Sequence, residues 1–201
     1  MEDPFGGSDS GHKKADELAT ILNKLIHNLT IRCAKSDAIY DYFYVGVIGY
    51  TEDAAKPAYG GALAGRDLVP ISDLANNPLR IEDRMKKVDD GAGGIIEQEV
   101  KFPVWFDPFW QGGTPMCAAF KMASTVVQRW AAEHKAGFPP IVINITDGDS
   151  TDGDPVAEAA HLTSLGTDDG ATLLFNVHLS SATGAPIELP GTPDNLPDKY
   201  A

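Results

Sequence analysis

Two short segments of the sequence carry residue types that could bind a cation or a polar partner. Thr146, Asp147 and Asp149 lie just after the segment Ile141–Ile145, which is apolar except for Asn144. Hard cations such as Mg²⁺ prefer carboxylate and hydroxyl oxygens, although Asp-Gly after a strand is also typical of a simple turn. Gly112–Thr114 precedes a predicted helix, where a threonine either caps the helix or directs its hydroxyl at a cation. The residues alone leave both alternatives open at each segment.

The elements that would position these segments follow from the spacing of apolar residues. Lys13 to about Cys33 has apolar residues at helical spacing, and this pattern predicts an amphipathic helix that packs on one side. The stripe is formed by Leu18, Leu22, Leu25 and Leu29, with Ala15, Ala19 and Ile26 beside them. Further helices are predicted at about Pro115–His134, Pro155–Leu165 and, as a short turn, Ile71–Ala75. Apolar segments without alternation predict strands covered on both faces, at Tyr42–Tyr50, Ile141–Ile145 and Ala171–Leu179.

Two segments of a different kind lie between the first strand and the long helix. Leu79–Val88 and Ile95–Phe106 alternate polar and apolar residues around a glycine-rich turn, which predicts an exposed hairpin or a pair of edge strands. Four aromatic residues lie at its end or just beyond. They either form a surface for a partner or cover the end of the sheet, and the sequence favours neither alternative: Trp105, Phe106, Phe109 and Trp110.

Buried strands that alternate with amphipathic helices predict the fold class. We expect one α/β domain over residues 1–201, with a three-layer, mostly parallel, Rossmann-like sheet, helices on both faces and the hairpin as an insertion. Ligands of such sheets bind beyond the carboxyl ends of the strands. The loop after Ile141–Ile145 is therefore the first place to search for a site.

Composition restricts the classes of partner. The formal net charge is −13, which disfavours binding to nucleic acid or to an anionic membrane surface. Such acidity favours cations or basic protein partners, or serves solubility alone. Cys33 and Cys117 are the two cysteines, without metal-ligand spacing, and no segment has the apolar length of a transmembrane helix or a signal peptide. We therefore expect a cytoplasmic protein without a disulfide framework.

Four segments, in their order along the chain, resemble the von Willebrand factor A (vWA) family. KADELATILNKLI is similar to the first helix of that family, and VGVIGYTED is similar to its second strand. QGGTPMCAAF and FPPIVINITDGDSTDGDP resemble the second and third segments of its metal-ion-dependent adhesion site. The insertion GGALAGRDLVPISDLANNPLRIEDR is similar to that of bacterial, cytoplasmic members. The resemblance covers about Lys13 to Leu179.

The resemblance implies a particular set of metal ligands. The threonine of the family's site corresponds to Thr114 and the aspartate to Asp147, with Asp149 as a further candidate ligand and with Gly113 and Gly148 lining the site. The family's Asp-x-Ser-x-Ser motif and the strand that presents it would precede the first helix, and this sequence does not contain them. We therefore expect a domain that is incomplete at the N-terminus and at the C-terminus, in which Mg²⁺, Mn²⁺ or Ca²⁺ binds weakly.

The function that the resemblance implies is non-enzymatic protein binding. In complete members an acidic residue of the partner fills an open position on the metal. Absence of the central strand would leave its neighbours with unpaired backbone groups, so we also expect some self-association. The alternative is a metal-dependent hydrolase or phosphotransfer enzyme that uses the acidic loop 147–154. That alternative needs further carboxylates or histidines from other strand ends.

Overall fold

A computed structural model describes residues 13–52, 54–89, 91, 93–109, 112–180, 187–190 and 192. The chain divides into two compact units. The first unit contains Met1–Glu17, Ile48–Lys56 and Phe109–Ala201, and the second unit contains Leu18–Val47 and Pro57–Pro108.

Helices and strands occur in mixed order along the chain, so this is an α/β protein. The helices are α1 (Lys14–Cys33), α2 (Ile71–Asn76), α3 (Met116–Glu133) and α4 (Val156–Ser164). The strands are β1 (Ala34–Lys35), β2 (Ala38–Ile39), β3 (Tyr44–Val45), β4 (Ile48–Thr51), β5 (Ala54–Pro57), β6 (Val69–Pro70), β7 (Arg80–Asp89), β8 (Ile95–Val104), β9 (Ile141–Thr146), β10 (Gly166–Thr167), β11 (Gly170–Ala171) and β12 (Leu173–His178).

The first unit is built on a parallel pair of strands with two helices on one face. β9 and β12 pair in register from Ile141 opposite Leu173 to Thr146 opposite His178. Successive side chains of a strand alternate between the two faces, and the face that carries Val142 packs against α3 and α4. The core on this face consists of Met116, Phe120, Ala123, Val127 and Leu162, with Val142 and Leu174 packed against it.

The opposite face of this strand pair is open to solvent. Its side chains are between 41% and 55% exposed; they belong to Ile141, Ile143, Leu173, Phe175 and Val177. The positions of α3, α4, β9 and β12 agree with the predictions, and the pairing of the two strands is a finding of the structure. The prediction that these strands are covered on both faces is wrong for the described residues, because α3 and α4 both pack on the other face.

The predicted strand Tyr42–Tyr50 is divided in the structure. β3 pairs antiparallel with β6, and β4 pairs with β5. Gly46 lies between them, and a Cβ atom there would come within 2.5 Å of the carbonyl oxygen of Asp67. The backbone of Gly46 therefore approaches Asp67 at a distance that only glycine permits, at the point where the predicted strand is divided. Each sheet among the described residues contains two strands, so the wider parallel sheet is not seen there.

The second unit has a core that includes a polar side chain. Asn23 of α1 is 2% exposed and accepts a hydrogen bond from the backbone N–H of Trp105 at 2.8 Å. Its amide group donates to the carbonyl oxygen of Phe106 at 3.1 Å, and the indole of Trp105 donates to the carbonyl oxygen of Leu74 at 2.7 Å. These bonds satisfy buried polar groups that would otherwise destabilise the core.

The buried side of α1 differs from the predicted stripe. The helix has nearly the predicted bounds, but Leu25 is 46% exposed. The buried positions are Lys14, Ala15, Ala19, Asn23, Ile26, Thr30 and Cys33. Ala15, Ala19 and Ile26, which the pattern placed beside the leucines, are buried as expected. The buried side is shifted from the leucines towards these residues, and Asn23 on that side makes hydrogen bonds.

The predicted hairpin is confirmed. β7 and β8 pair antiparallel from Arg80 opposite Val104 to Asp89 opposite Ile95. Trp105 and Phe106 are 1% and 4% exposed, so a partner surface formed by these two rings is excluded. They belong to the core of the second unit, and Trp110 lies outside the described residues.

Candidate functional site

The two segments that the sequence singles out are hydrogen-bonded to each other in the first unit. The backbone N–H of Thr114 donates to Oγ1 of Thr151 at 2.9 Å, and the backbone N–H of Thr151 donates to the carbonyl oxygen of Thr114 at 3.0 Å. A Cβ atom on Gly113 would lie 2.6 Å from Oγ1 of Thr151, so this close approach requires glycine. The loops Gly112–Thr114 and Thr146–Asp152 thus form one structure beyond the carboxyl end of β9, which we name the strand-end site.

Asp152 connects the strand-end site to the start of α3. Its two carboxylate oxygens accept hydrogen bonds from the backbone N–H groups of Cys117 at 3.0 Å and Ala118 at 2.9 Å. The residue before the helix is Pro115, whose side chain cannot accept a hydrogen bond, and Asp152 supplies this cap instead of Thr114. The carboxylate also lies where the helix dipole favours negative charge.

The ionisation of Asp152 agrees with this geometry. Partial burial would by itself raise the pKa of the carboxyl group. The hydrogen bonds from the amides of Ala118 and Cys117 and from the hydroxyl of Ser150 outweigh that effect, so the pKa of Asp152 lies below its ordinary value. The carboxylate form is therefore the one that the site stabilises.

Asp154 has a related structural role at α4. Its Oδ1 accepts a hydrogen bond from the backbone N–H of Val156 at 3.0 Å, at the first residue of the helix. Of the four aspartates in the loop 147–154, Asp152 and Asp154 are thus engaged by the ends of two helices. Helix capping accounts for half of the carboxylates that suggested a cation site.

Asp147 lies next to a buried lysine. Lys14, the first residue of α1, is 2% exposed, and its Nζ lies 3.9 Å from Oδ2 of Asp147. The same Nζ donates a hydrogen bond to the carbonyl oxygen of Leu179 at 3.1 Å. The N–H of Leu179 in turn donates to the carbonyl oxygen of Thr146 at 2.8 Å, which holds the end of β12 beside the strand-end site.

Asp149 occupies a different environment. It is exposed, and it lines an open cavity of about 480 Å³ together with Gly148 and Ser150 of the same loop. The far side of this cavity is apolar and includes Met116 and Phe120 of α3. Asp147 and Thr114 are not among the lining residues, so the predicted ligands do not all face one space.

A polar network fixes the end of β9. The phenol oxygen of Tyr50 lies 2.8 Å from Oδ1 of Asn144 and 3.0 Å from the carbonyl oxygen of Ile145, so its proton is shared between two acceptors. The amide of Asn144 donates to Oδ1 of Asn176 at 2.7 Å. Burial raises the pKa of Tyr50 to about 12, and the neutral phenol acts as a hydrogen-bond donor. Thr146 closes the turn, since its hydroxyl donates to the carbonyl oxygen of Gly148 at 2.9 Å.

The donor set, as the structure places it, does not fit a hard divalent cation. Such an ion needs about six oxygen ligands around one point. Asp147 already faces an ammonium group, the backbone N–H and carbonyl of Thr114 are bonded to Thr151, and Asp149 lines the cavity. In the described part of the chain, no three His, Cys, Asp or Glu side chains converge on one point.

Three residues in or beside the strand-end site were not found from the sequence. Lys14 could have been found, because a lysine at the first position of a helix opposes the helix dipole. Asp152 could not, because Thr114 lies close before α3 and is itself a residue type that caps helices. Tyr50 left no such indication, because its partners on β9 are distant in sequence.

Comparison of the chain with protein-family models, with curated proteins and with solved structures finds no match. Over the residues that the structure describes, no helix combines the length and the apolar character needed to cross a membrane.

Proposed function

We propose that this chain is a non-enzymatic protein-binding domain of the vWA type, acting in the cytoplasm, and that its protein partner binds at the strand-end site. One observation carries the proposal: reciprocal hydrogen bonds between Thr114 and Thr151 join the two loops beyond the carboxyl end of a parallel strand. The order of these segments along the chain is also that of the vWA family, and the proposal includes the three-layer sheet of that family.

The surface of the strand-end site supports contact with a protein. Asp149 is exposed beside a cavity with an apolar wall, so a partner could insert an apolar side chain and place a basic group against the carboxylate. Gly148, which lines the cavity, adds little steric bulk there. The net charge of −13 favours such a partner over nucleic acid or an anionic membrane.

The arrangement of the carboxylates favours binding over catalysis. A metal-dependent hydrolase would need several carboxylates of the loop 147–154 directed at one reaction centre. Instead, Asp152 and Asp154 accept hydrogen bonds from helix ends, and Asp147 faces Lys14. Mg²⁺ therefore has at most a weak part in the proposed function.

Site-specific photo-crosslinking tests the proposal. A photoreactive phenylalanine replaces Val156, an exposed residue that lines the same cavity, in one variant of the full chain. It replaces Lys87 of the hairpin in a matched control, so the carboxylate of Asp149 is retained in both variants. Each variant is irradiated in an extract of the native cell. We expect one discrete protein adduct from position 156 and none from position 87. Replacement of Thr151 by valine, which removes the bond to Thr114, should reduce that adduct.

Two results would contradict the proposal. Equal adducts from positions 156 and 87, or an adduct that Thr151→Val leaves unchanged, would exclude the strand-end site as the binding surface. Hydrolysis of a generic phosphoester by the purified chain with Mg²⁺, abolished by Asp147→Ala, would support the hydrolase alternative instead.

A further inference from the structure

We infer that the ammonium group of Lys14 is the resident cation of Asp147, and that a divalent metal ion binds at this carboxylate only after Lys14 has been displaced. The inference takes from the proposed function only that Asp147 belongs to the strand-end site. Its test uses metal ions alone, without any partner protein, so its outcome is independent of the crosslinking result.

The side chain of Lys14 is buried, so its charge needs a partner nearby. Lysine is almost never fully buried unless its charge is paired, because transfer of an ammonium ion out of water is strongly unfavourable. Lys14 is 2% exposed, and the side chain of Asp147 is 14% exposed. A charge held so deep must be compensated locally, and Asp147 carries the charge of opposite sign.

The ammonium group of Lys14 has two oxygen neighbours. Nζ donates to the carbonyl oxygen of Leu179 at 3.1 Å and lies 3.9 Å from Oδ2 of Asp147. A carbonyl oxygen and a carboxylate oxygen are also what a hard cation would bind. The side chain of Lys14 thus brings a positive charge, from within the chain, to two oxygen atoms of the kind that a hard cation binds.

Competition follows from these distances. A Mg²⁺ ion lies about 2.1 Å from a ligand oxygen. Nζ of Lys14 is 3.9 Å from Oδ2 of Asp147, so a metal ion on that oxygen would lie at most about 6 Å from the ammonium group. This separation is shorter than the Debye length of about 8 Å at physiological salt, so the two cations would repel each other with little screening.

Metal titration of four full-length proteins tests the inference. Binding of Mn²⁺ is measured from the electron paramagnetic resonance signal of the free ion, for wild type, Lys14→Gln, Lys13→Gln and the double variant Lys14→Gln/Asp147→Asn. Lys13→Gln is the matched control, because it removes the same charge from the adjacent residue. Glutamine retains a donor for the carbonyl oxygen of Leu179, which favours a folded variant.

We expect Lys14→Gln to bind Mn²⁺ roughly tenfold more tightly than wild type, which is within the range by which neighbours of a ligand alter metal affinity. Lys13→Gln should bind as wild type does, and the double variant should lose the gain. An affinity of Lys14→Gln equal to that of wild type would overturn the inference. So would an equal gain in Lys13→Gln, or a gain that persists without the carboxylate of Asp147.

A measurement on the wild-type chain keeps the inference falsifiable even if Lys14→Gln does not fold. Reductive methylation followed by mass spectrometry gives the reaction rate of each lysine. Lys121, whose side chain is 68% exposed, is the reference. We expect Lys14 to react far more slowly than Lys121, and saturating Mn²⁺ to increase the rate at Lys14. Equal rates for the two lysines in the absence of metal would overturn the inference.

Discussion

Replacement of Asp152 by alanine should destabilise the first unit by removing the cap of α3. Two amide N–H groups, those of Cys117 and Ala118, would lose their acceptor. Loss of an N-cap costs about 1 kcal/mol, and loss of a negative charge at a helix N-terminus costs about 0.3–1 kcal/mol. Because Asp152 is exposed, the charge contribution belongs at the lower end, and we expect a total of about 1–1.5 kcal/mol.

Thermal unfolding followed by circular dichroism measures this loss. For a chain of this size, 1 kcal/mol corresponds to about 2–4 °C in Tm, so Asp152→Ala should lower Tm by about 2–6 °C. Asp149→Ala is the matched control, because it removes the same charge from the same loop without removing a helix cap. Its Tm should remain close to that of wild type. Equal losses in the two variants, or no loss in Asp152→Ala, would refute the capping argument.

The effect of Asp152→Ala should also depend on pH in a defined direction. The pKa of Asp152 is lower in the folded chain than its ordinary value of 3.8. Its stabilising contribution is therefore fully present above that ordinary value and is lost as the pH falls through the folded pKa. The difference in stability between wild type and variant should be constant near neutral pH and should shrink in strong acid. A difference that grows on acidification would contradict the assigned ionisation.

Three further predictions concern other parts of the molecule. Asn23→Ala removes three buried hydrogen bonds, including that from the N–H of Trp105, and should lower the free energy of unfolding by about 2–3 kcal/mol in a urea titration. Tyr50→Phe removes the hydroxyl group that contacts the end of β9 and should lower the free energy of unfolding by about 1 kcal/mol in the same assay. An unchanged free energy of unfolding would show that the hydrogen bonds of this hydroxyl contribute nothing to stability. The exposed apolar face of β9 should promote self-association, so Ile143→Thr should shift sedimentation velocity profiles towards monomer. Ile81→Thr on the hairpin is the control and should cause no shift. Equal shifts in the two variants would exclude the face of β9 as the site of self-association.

Local elements could be predicted from the sequence because their patterns are local. Helical spacing located α1, α3 and α4 to within one or two residues, and alternation around a glycine-rich turn located the hairpin. The largely apolar segments at β9 and β12 predicted strands at these positions. In each case one segment of sequence contains most of the information that determines the element.

Pairings and buried charges could not be predicted in this way, because they depend on residues that are distant in sequence. Nothing within Tyr42–Tyr50 shows that β3 pairs with β6, since the partner begins at Val69. Burial of Asn23 is favourable only because Trp105 and Phe106 bring backbone groups to it. At the strand-end site, the position of Asp147 was predicted correctly, but its neighbour Lys14 lies far away along the chain.

The pairing of Lys14 with Asp147 is the feature on which the account of the strand-end site most directly depends. A double-mutant cycle of Lys14→Met and Asp147→Asn, measured as free energies of unfolding in urea, isolates their interaction. Because removal of one partner of a buried ion pair leaves the other charge uncompensated, we expect a coupling energy of about 1 kcal/mol or more. Effects that add to within about 0.3–0.5 kcal/mol would show that the two charges do not interact, and would contradict the account.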